Sequence, residues 1–244
     1  MPYTPLPKEG ILNAALCQAS IILIFPNTSA LITPYIHLHM KKITLFIALL
    51  ITAGTSAFAG KPANSKPKLD TATFATGCFW CTEAKFKQLK GVTAVTSGFT
   101  GGTTVNPSYK EVCTGNTGHA EACNIVYDPK VITYDELLAA FFVAHDPTQL
   151  NRQGNDVGTQ YRSAIFYHNA AQKQKADYYI GKLNAEHAYK SKIVTQVVPY
   201  KVFYKAEDYH QNYFALNGKQ PYCKYVIQPE LEKFKKVFKD KLKH

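Results

Sequence analysis

The chain of 244 residues is 46% hydrophobic and 18% charged, with 16 Tyr and 14 Phe, ordinary proportions for a globular protein built on one aromatic-rich core. Its six cysteines, Cys17, Cys78, Cys81, Cys113, Cys123 and Cys223, are too few and too unevenly spaced for a small disulfide-stapled scaffold. The net charge of +11 invites a nucleic-acid or membrane-surface reading, but Arg152 and Arg162 are the only arginines and the lysines are dispersed, which argues against a phosphate-binding surface.

Residues 1–39 carry Pro2, Pro5, Pro7, Pro26 and Pro34 without clear periodicity, and the apolar run at 19–25 is too short to cross a bilayer. Met40-Lys41-Lys42, the apolar stretch from Ile43 and the small residues at Ala57-Phe58-Ala59 then have the order of a secretory signal peptide. Such a signal belongs at an N-terminus. Met40 is therefore the expected initiator, 1–39 an upstream extension outside the translated protein, 40–59 the signal, and the periplasm the expected destination. No Cys stands directly after Ala59 to carry a lipid, and no stable membrane insertion is expected after cleavage. Over 60–70, Lys61, Pro62, Ser65, Lys66, Pro67 and Lys68 predict a disordered leader ahead of a folded domain at 71–244.

In that domain Ala72, Phe74 and Thr76 alternate with Thr71, Thr73 and Ala75, which predicts a strand over 71–76 ending at Gly77. A helix is expected from 78 to 90, a stretch free of Pro and Gly, with Phe79, Phe86 and Leu89 on one face and Gly91 as its stop. Extended runs follow at 92–99 and 121–127, separated by a loop that Gly98, Gly101, Gly102 and Pro107 announce. Thr133 and Glu136 form a capping box before the helical pattern of Leu137, Leu138, Phe141 and Phe142. A strand is expected at 163–167, a helix capped by Asn169 and running to about 187, and another strand at 193–198. Near the C-terminus Leu231, Phe234, Val237, Phe238 and Leu242 recur at helical spacing, with Lys233, Lys235, Lys236, Lys239, Lys241 and Lys243 as the solvated face. The central order strand, helix, strand, strand, helix, strand predicts an α+β fold, a ferredoxin-like two-layer sandwich with helices on one face of a mostly antiparallel sheet.

The chemistry concentrates in Gly77-Cys78-Phe79-Trp80-Cys81. A cysteine at the first turn of a helix meets unpaired N–H groups and the positive end of the helix dipole, so thiolate is expected to be favoured at Cys78. The pair Cys78 and Cys81 admits three readings: a thioredoxin-like redox pair, half of a zinc site, or a nucleophile with its resolving partner. Zinc would need His119 and Cys123 as the other half, yet residues four apart on a strand lie about 13 Å from each other. A thioredoxin-like motif has its Trp before the first Cys, whereas Phe79 and Trp80 stand between the thiols here and suggest an apolar pocket.

Gly-Cys-Phe-Trp-Cys resembles the signature of the class A peptide methionine sulfoxide reductases, and further segments are similar to that family in the same order. They are Gly98-Phe99-Thr100-Gly101-Gly102, Asn106-Pro107-Ser108-Tyr109, Glu111-Val112-Cys113-Thr114-Gly115, Thr117-Gly118-His119-Ala120-Glu121, Tyr127-Asp128-Pro129, His145-Asp146-Pro147-Thr148, the stretch from Gln153 to Ser163, and Ala206-Glu207-Asp208-Tyr209-His210-Gln211. The likeness runs from about Thr73 to about Phe238.

The resemblance implies that Cys78 attacks the sulfur of a methionine (S)-S-oxide, in peptides and as the free amino acid, and that Glu121 supplies the proton to the departing oxygen. It implies that Tyr109 and Tyr161 hydrogen-bond that oxygen, that Asp156 holds the polar network and its water, and that Phe79 and Trp80 cradle the methyl group. A sulfenic acid on Cys78 would then be resolved by Cys81, which is placed slightly ahead, or by Cys223, and an external thioredoxin-like dithiol would recycle the enzyme. No metal or cofactor, no nucleic acid and a monomer are expected. The alternative is a thiol-disulfide oxidoreductase working through Cys78 and Cys81. Cys113 is expected to be a buried inert thiol and Cys123 a core residue, and His119, His145, His187 and His210 are given no chemistry.

Overall fold

The computed structural model describes residues 68–243. The segments expected to be an upstream extension (1–39) and a signal peptide (40–59), with Cys17, lie outside the described residues, as does the expected leader up to 67. The leader's expected boundary at 70 is corrected, because Asp70 already pairs with Tyr127 in the sheet.

The chain runs β1 (Asp70–Thr76), α1 (Phe79–Phe86), β2 (Val92–Thr100), α2 (Tyr109–Cys113), β3 (Ala120–Tyr127) and α3 (Tyr134–Ala144). After a small hairpin, β4 (Arg152–Gln153) and β5 (Asp156–Val157), come β6 (Ser163–Tyr167), α4 (Ala170–Ala185), β7 (Gln196–Pro199) and β8 (Phe203–Lys205). A short helix α5 (Tyr213–Asn217), a π-helical turn at Cys223–Ile227 and α6 (Gln228–Val237) complete it. The main sheet has the order β7-β6-β1-β3-β2-β8. Its four central strands β6, β1, β3 and β2 are antiparallel neighbours, the arrangement of the ferredoxin-like unit, and β7 adds parallel to β6 after the α4 crossover. The α+β expectation therefore holds, with β8 extending the opposite edge.

One sheet face carries the main core, in which Phe74 packs on Phe86, Tyr134 and Phe141, and Ile125 and Ile165 are fully buried. The other face holds a thinner cluster of Ala75, Ala120, Ala122, Ala164 and Phe166. Capping boxes at Thr133–Glu136 and at Ser108–Glu111 start α3 and α2. Lys85, buried on α1, donates to the Ala144 carbonyl at the end of α3 and to Glu230 on α6, which ties three helices together.

Two boundaries differ from expectation for hydrogen-bonding reasons. The helix expected to reach 90 stops at Phe86 because the C-terminal tail claims the next residues: Lys90 N–H donates to the Lys241 carbonyl and Lys243 N–H to that of Gln88. The strand expected from 193 starts at Gln196 because Ile193 N–H is taken by Asn184 and Val194 N–H by the Pro147 carbonyl. On the C-terminal helix Leu231 and Phe234 are buried while Lys233, Lys236 and Lys239 are exposed, as the periodicity predicts.

The turn from β1 into α1 depends on Gly77, whose φ is +94° and where a Cβ would lie 2.6 Å from the Gln153 Cβ. Both features exclude a side chain. Gly77→Ala is expected to destabilise the fold by about 2 kcal/mol, read as a lower urea midpoint at unchanged slope; an unaltered midpoint would show that the turn has another accessible path.

Candidate active site

Strand register brings an acid to the thiol. Glu121 leads the alternating set Glu121, Cys123, Ile125 and Tyr127, of which the last three belong to the helix-side core. Phe74 on β1 pairs with Cys123, so two further residues along each strand carry the end of β1 to the level of Glu121. There Gly77 turns the chain into α1, whose first N–H, that of Phe79, donates to Glu121 Oε2 at 3.0 Å. Burial pushes the Glu121 carboxyl from the ordinary 4.5 to about 8; the Phe79 N–H opposes this and the Asp156 carboxylate adds to it.

Cys78 is the N-cap residue of α1, is 7% exposed, and makes no capping hydrogen bond. The expectation of a favoured thiolate is corrected here. Burial first, then hydrogen bonding and charge from Cys81, then charge on Glu121, raise the Cys78 thiol well above its ordinary value, and only the Tyr222 hydroxyl bonded to it acts the other way. The helix N-terminus does not offset this, since the Cys78 side chain makes no capping hydrogen bond to it.

The other residues named by the resemblance converge on this pair. Tyr161, at the end of the 3-10 turn Thr159–Tyr161, is raised by burial and then by Glu121, Asp156 and Cys78. Asp156 on β5 accepts the Tyr222 hydroxyl at 2.6 Å, and burial raises its carboxyl. Tyr109 opens α2; its ring stacks on Phe79 at 6.2 Å and 20°, and burial raises its phenol. Trp80 is half-buried and lies flat on Tyr213 at 3.7 Å and 6°. Phe79 differs from Trp80 in place, being buried against Phe99, Tyr109 and His210 beneath the indole. Cys81 and Cys223 join Cys78 in one apolar cluster with Ala84, Ile227 and Leu231.

Cys123 is buried as expected, but Cys113 corrects its prediction: it is exposed, and its thiol is hydrogen-bonded to Tyr109. His145 is a structural histidine between the Phe141 carbonyl and Ser163. Tyr222, Tyr213 and Glu207 touch the site and were given no role from sequence, and His210, which touches it too, was named there without chemistry. Tyr222 adjoins Cys223 in the chain, and Glu207 and His210 fall in one of the family-like segments, which was the available signal.

A buried thiol clustered with a second thiol, beside a carboxyl whose pKa burial pushes up to about 8 and near two phenols, is the constellation of a thiol reductase that takes up an oxygen. Residues 70–242 match the family model described as peptide methionine sulfoxide reductase. The chain is 54% identical over 173 residues to a peptide methionine sulfoxide reductase of Sulfolobus acidocaldarius, covering 71% of this chain and 97% of that protein. It is 55% identical over 166 residues to that of Nautilia profundicola, covering 68% and 94%. Among solved structures, methionine sulfoxide reductase A of Corynebacterium diphtheriae superposes with a TM-score of 0.57 at 41% identity, over 63% of this chain and 77% of that one. Mxr1 from Saccharomyces cerevisiae in reduced form gives 0.60 at 39% identity, over 64% and 89%. The chain belongs to the peptide methionine sulfoxide reductase family.

A carboxyl whose pKa is higher folded than unfolded contributes stability below the unfolded value of about 4.5 and loses it as pH rises through the folded value of about 8. Glu121→Gln, which keeps an oxygen for the Phe79 N–H, is therefore expected to be more stable than the natural protein at pH 8, on the order of 3 kcal/mol. The gap should close toward pH 5 in paired thermal melts; a constant gap would show that Glu121 does not titrate high.

Proposed function

We propose that Cys78 is the nucleophile and Glu121 the proton donor with which this chain reduces methionine (S)-S-oxide, in peptides and as the free amino acid. The activity of the family, reduction of peptide methionine sulfoxide, is this chain's activity. The observation that carries the residue roles is the buried Glu121 carboxyl held by the Phe79 N–H at the helix start that bears Cys78, an enclosure that pushes its pKa up to about 8.

The Cys78 sulfur attacks the sulfoxide sulfur while Glu121 gives its proton to the oxygen, with Tyr109 and Tyr161 as donors to that oxygen. Attack makes a transient S–S bond between Cys78 and the methionine sulfur; that bond and the S–O bond to methionine then break as the protonated oxygen passes to Cys78 and a Cys78 S–O bond forms, so one sulfur is reduced by two electrons and the other oxidised by two. The proton lost by the thiol replaces the one given by Glu121, so this half-reaction consumes none. A high-pKa thiol in the empty site fits this order, because attack and proton delivery occur together after substrate has entered. Disulfide exchange through Cys78 and Cys81 would bring no oxygen for Tyr109, Tyr161 and Glu121 to donate to.

Cys81 is the first resolving thiol in this proposal, because it shares one buried cluster with Cys78 and lies three residues on along the helix turn. Its attack on Cys78–SOH forms the Cys78–Cys81 disulfide and releases water. Cys223, in the same cluster, stands next in line. An external dithiol of thioredoxin type then takes up the disulfide. The signal-like segment at 40–59 makes that donor an exported one, and the catalytic unit acts as a monomer.

The test is dithiol-dependent reduction of the two separate epimers. Cys78→Ser should abolish turnover, and Glu121→Gln should lower kcat/KM by about 100-fold to 10,000-fold. In the natural chain kcat/KM should fall as pH rises through about 8, where Glu121 loses its proton, and Glu121→Gln should lack that limb. Full activity of Cys78→Ser, or an unchanged pH profile in Glu121→Gln, would remove the assignment. With a sulfenic-acid trap, Cys81→Ser should accumulate more adduct than Cys223→Ser; the reverse order would make Cys223 the first resolver.

A further inference from the structure

The segment Ala206-Glu207-Asp208-Tyr209-His210-Gln211 holds no residue with a chemical role in the reaction above, yet it is fastened to the site at several points. Gln211 clamps it to β2, accepting from Ser97 N–H and donating to the Ser97 and Ala206 carbonyls. Glu207 Oε1 accepts the Tyr109 N–H at 3.0 Å. His210, fully buried, accepts the Trp80 indole N–H at Nδ1, 3.1 Å away. Its ring fills the space between Phe79 at 5.0 Å, Tyr109 at 4.3 Å and Trp80 at 5.6 Å.

An indole nitrogen has a hydrogen to give and no lone pair to offer, so this bond requires Nδ1 to be unprotonated. The ring proton then sits on Nε2, which is buried without a hydrogen-bond partner and faces Glu207 Oε2 at 3.8 Å. Burial lowers the His210 pKa, with Glu207 opposing, which keeps the imidazole neutral as the indole bond demands. A half-buried Trp has two faces that could turn toward substrate. Stacking on Tyr213 sets the plane of the ring but permits sliding within it, and the bond to His210 removes that freedom.

We propose that His210 is a positioning residue for the methyl pocket: by accepting the Trp80 indole N–H it locks the indole in place, while Glu207 secures Tyr109 from the same segment. The apolar wall and an oxygen-binding phenol are thereby set as one unit. The inference rests on the roles given to Trp80 and Tyr109 above.

Trp80 is the single tryptophan of the chain, so its emission and its one indole N–H resonance report this contact directly. In the natural protein that resonance should be protected from solvent exchange; rapid exchange would overturn the proposal without any variant, even if His210→Leu failed to fold. His210→Leu removes the acceptor, whereas His210→Asn places an amide oxygen near the position of Nδ1. The leucine variant should show red-shifted emission and a KM raised about five- to tenfold with kcat within about twofold, the loss of one hydrogen bond, and asparagine should restore both. Unchanged emission and KM in His210→Leu, or equal defects in both variants, would overturn the idea. Cys78→Ser should lose turnover yet keep the protected indole signal, so failure of the chemistry and failure of the positioning are read separately.

Discussion

The active site rests on the antiparallel register of β1 and β3. With Phe74 opposite Cys123, the carboxyl that starts β3 and the thiol that follows β1 arrive at the same level on the helix-covered side. A slip of one residue would turn Glu121 to the other face and drive Cys123, Ile125 and Tyr127 out of the main core into the thin layer of small side chains there. The apolar requirement of three core residues thus enforces the position of one polar residue. The α1 N-terminus then completes the contact through the Phe79 N–H.

That placement has an electrostatic consequence. Helix N-termini ordinarily favour thiolates, but here the Cys78 side chain makes no capping bond, and it is enclosed by Cys81, Tyr222 and apolar side chains. Both acidic groups therefore hold their protons near neutrality. The arrangement opposes the stability of the empty protein, since a buried carboxyl resists ionisation that the unfolded chain permits. It suits a reaction in which a proton must be delivered to oxygen at the moment sulfur attacks.

The enclosing wall comes from the far end of the chain. Tyr213 and His210 hold Trp80, Tyr222 bonds both Asp156 and Cys78, and Asn212 N–H donates to the buried Glu83 on α1. The Lys85 contact with Glu230 anchors α6 behind this wall. The C-terminal segment is therefore part of the site, and the thiol of Cys223 lies in the apolar cluster that the segment forms around Cys78.

Local pattern alone determined the strands at 71–76, 121–127 and 163–167, the capped starts of α3 and α4, and the thiols Cys78 and Cys81 as the chemical centre, because alternation, capping and a chemically rare pair of thiols are short-range signals; Glu121, Tyr109, Tyr161 and Asp156 were legible only through the family resemblance. The capping box that begins α2 was equally present in Ser108 and Glu111 but stood inside a stretch rich in loop residues. Tertiary structure decided what depends on partners distant in the chain. The tail residues Lys241 and Lys243 end α1 early, and the β1–β3 register brings Glu121 to the α1 N-terminus, where it accepts the Phe79 N–H. Exposure of Cys113 and the gathering of Glu207, His210, Tyr213 and Tyr222 around Trp80 follow from packing across more than a hundred residues of sequence separation or from a surface turn, and no periodicity of three or two residues encodes either.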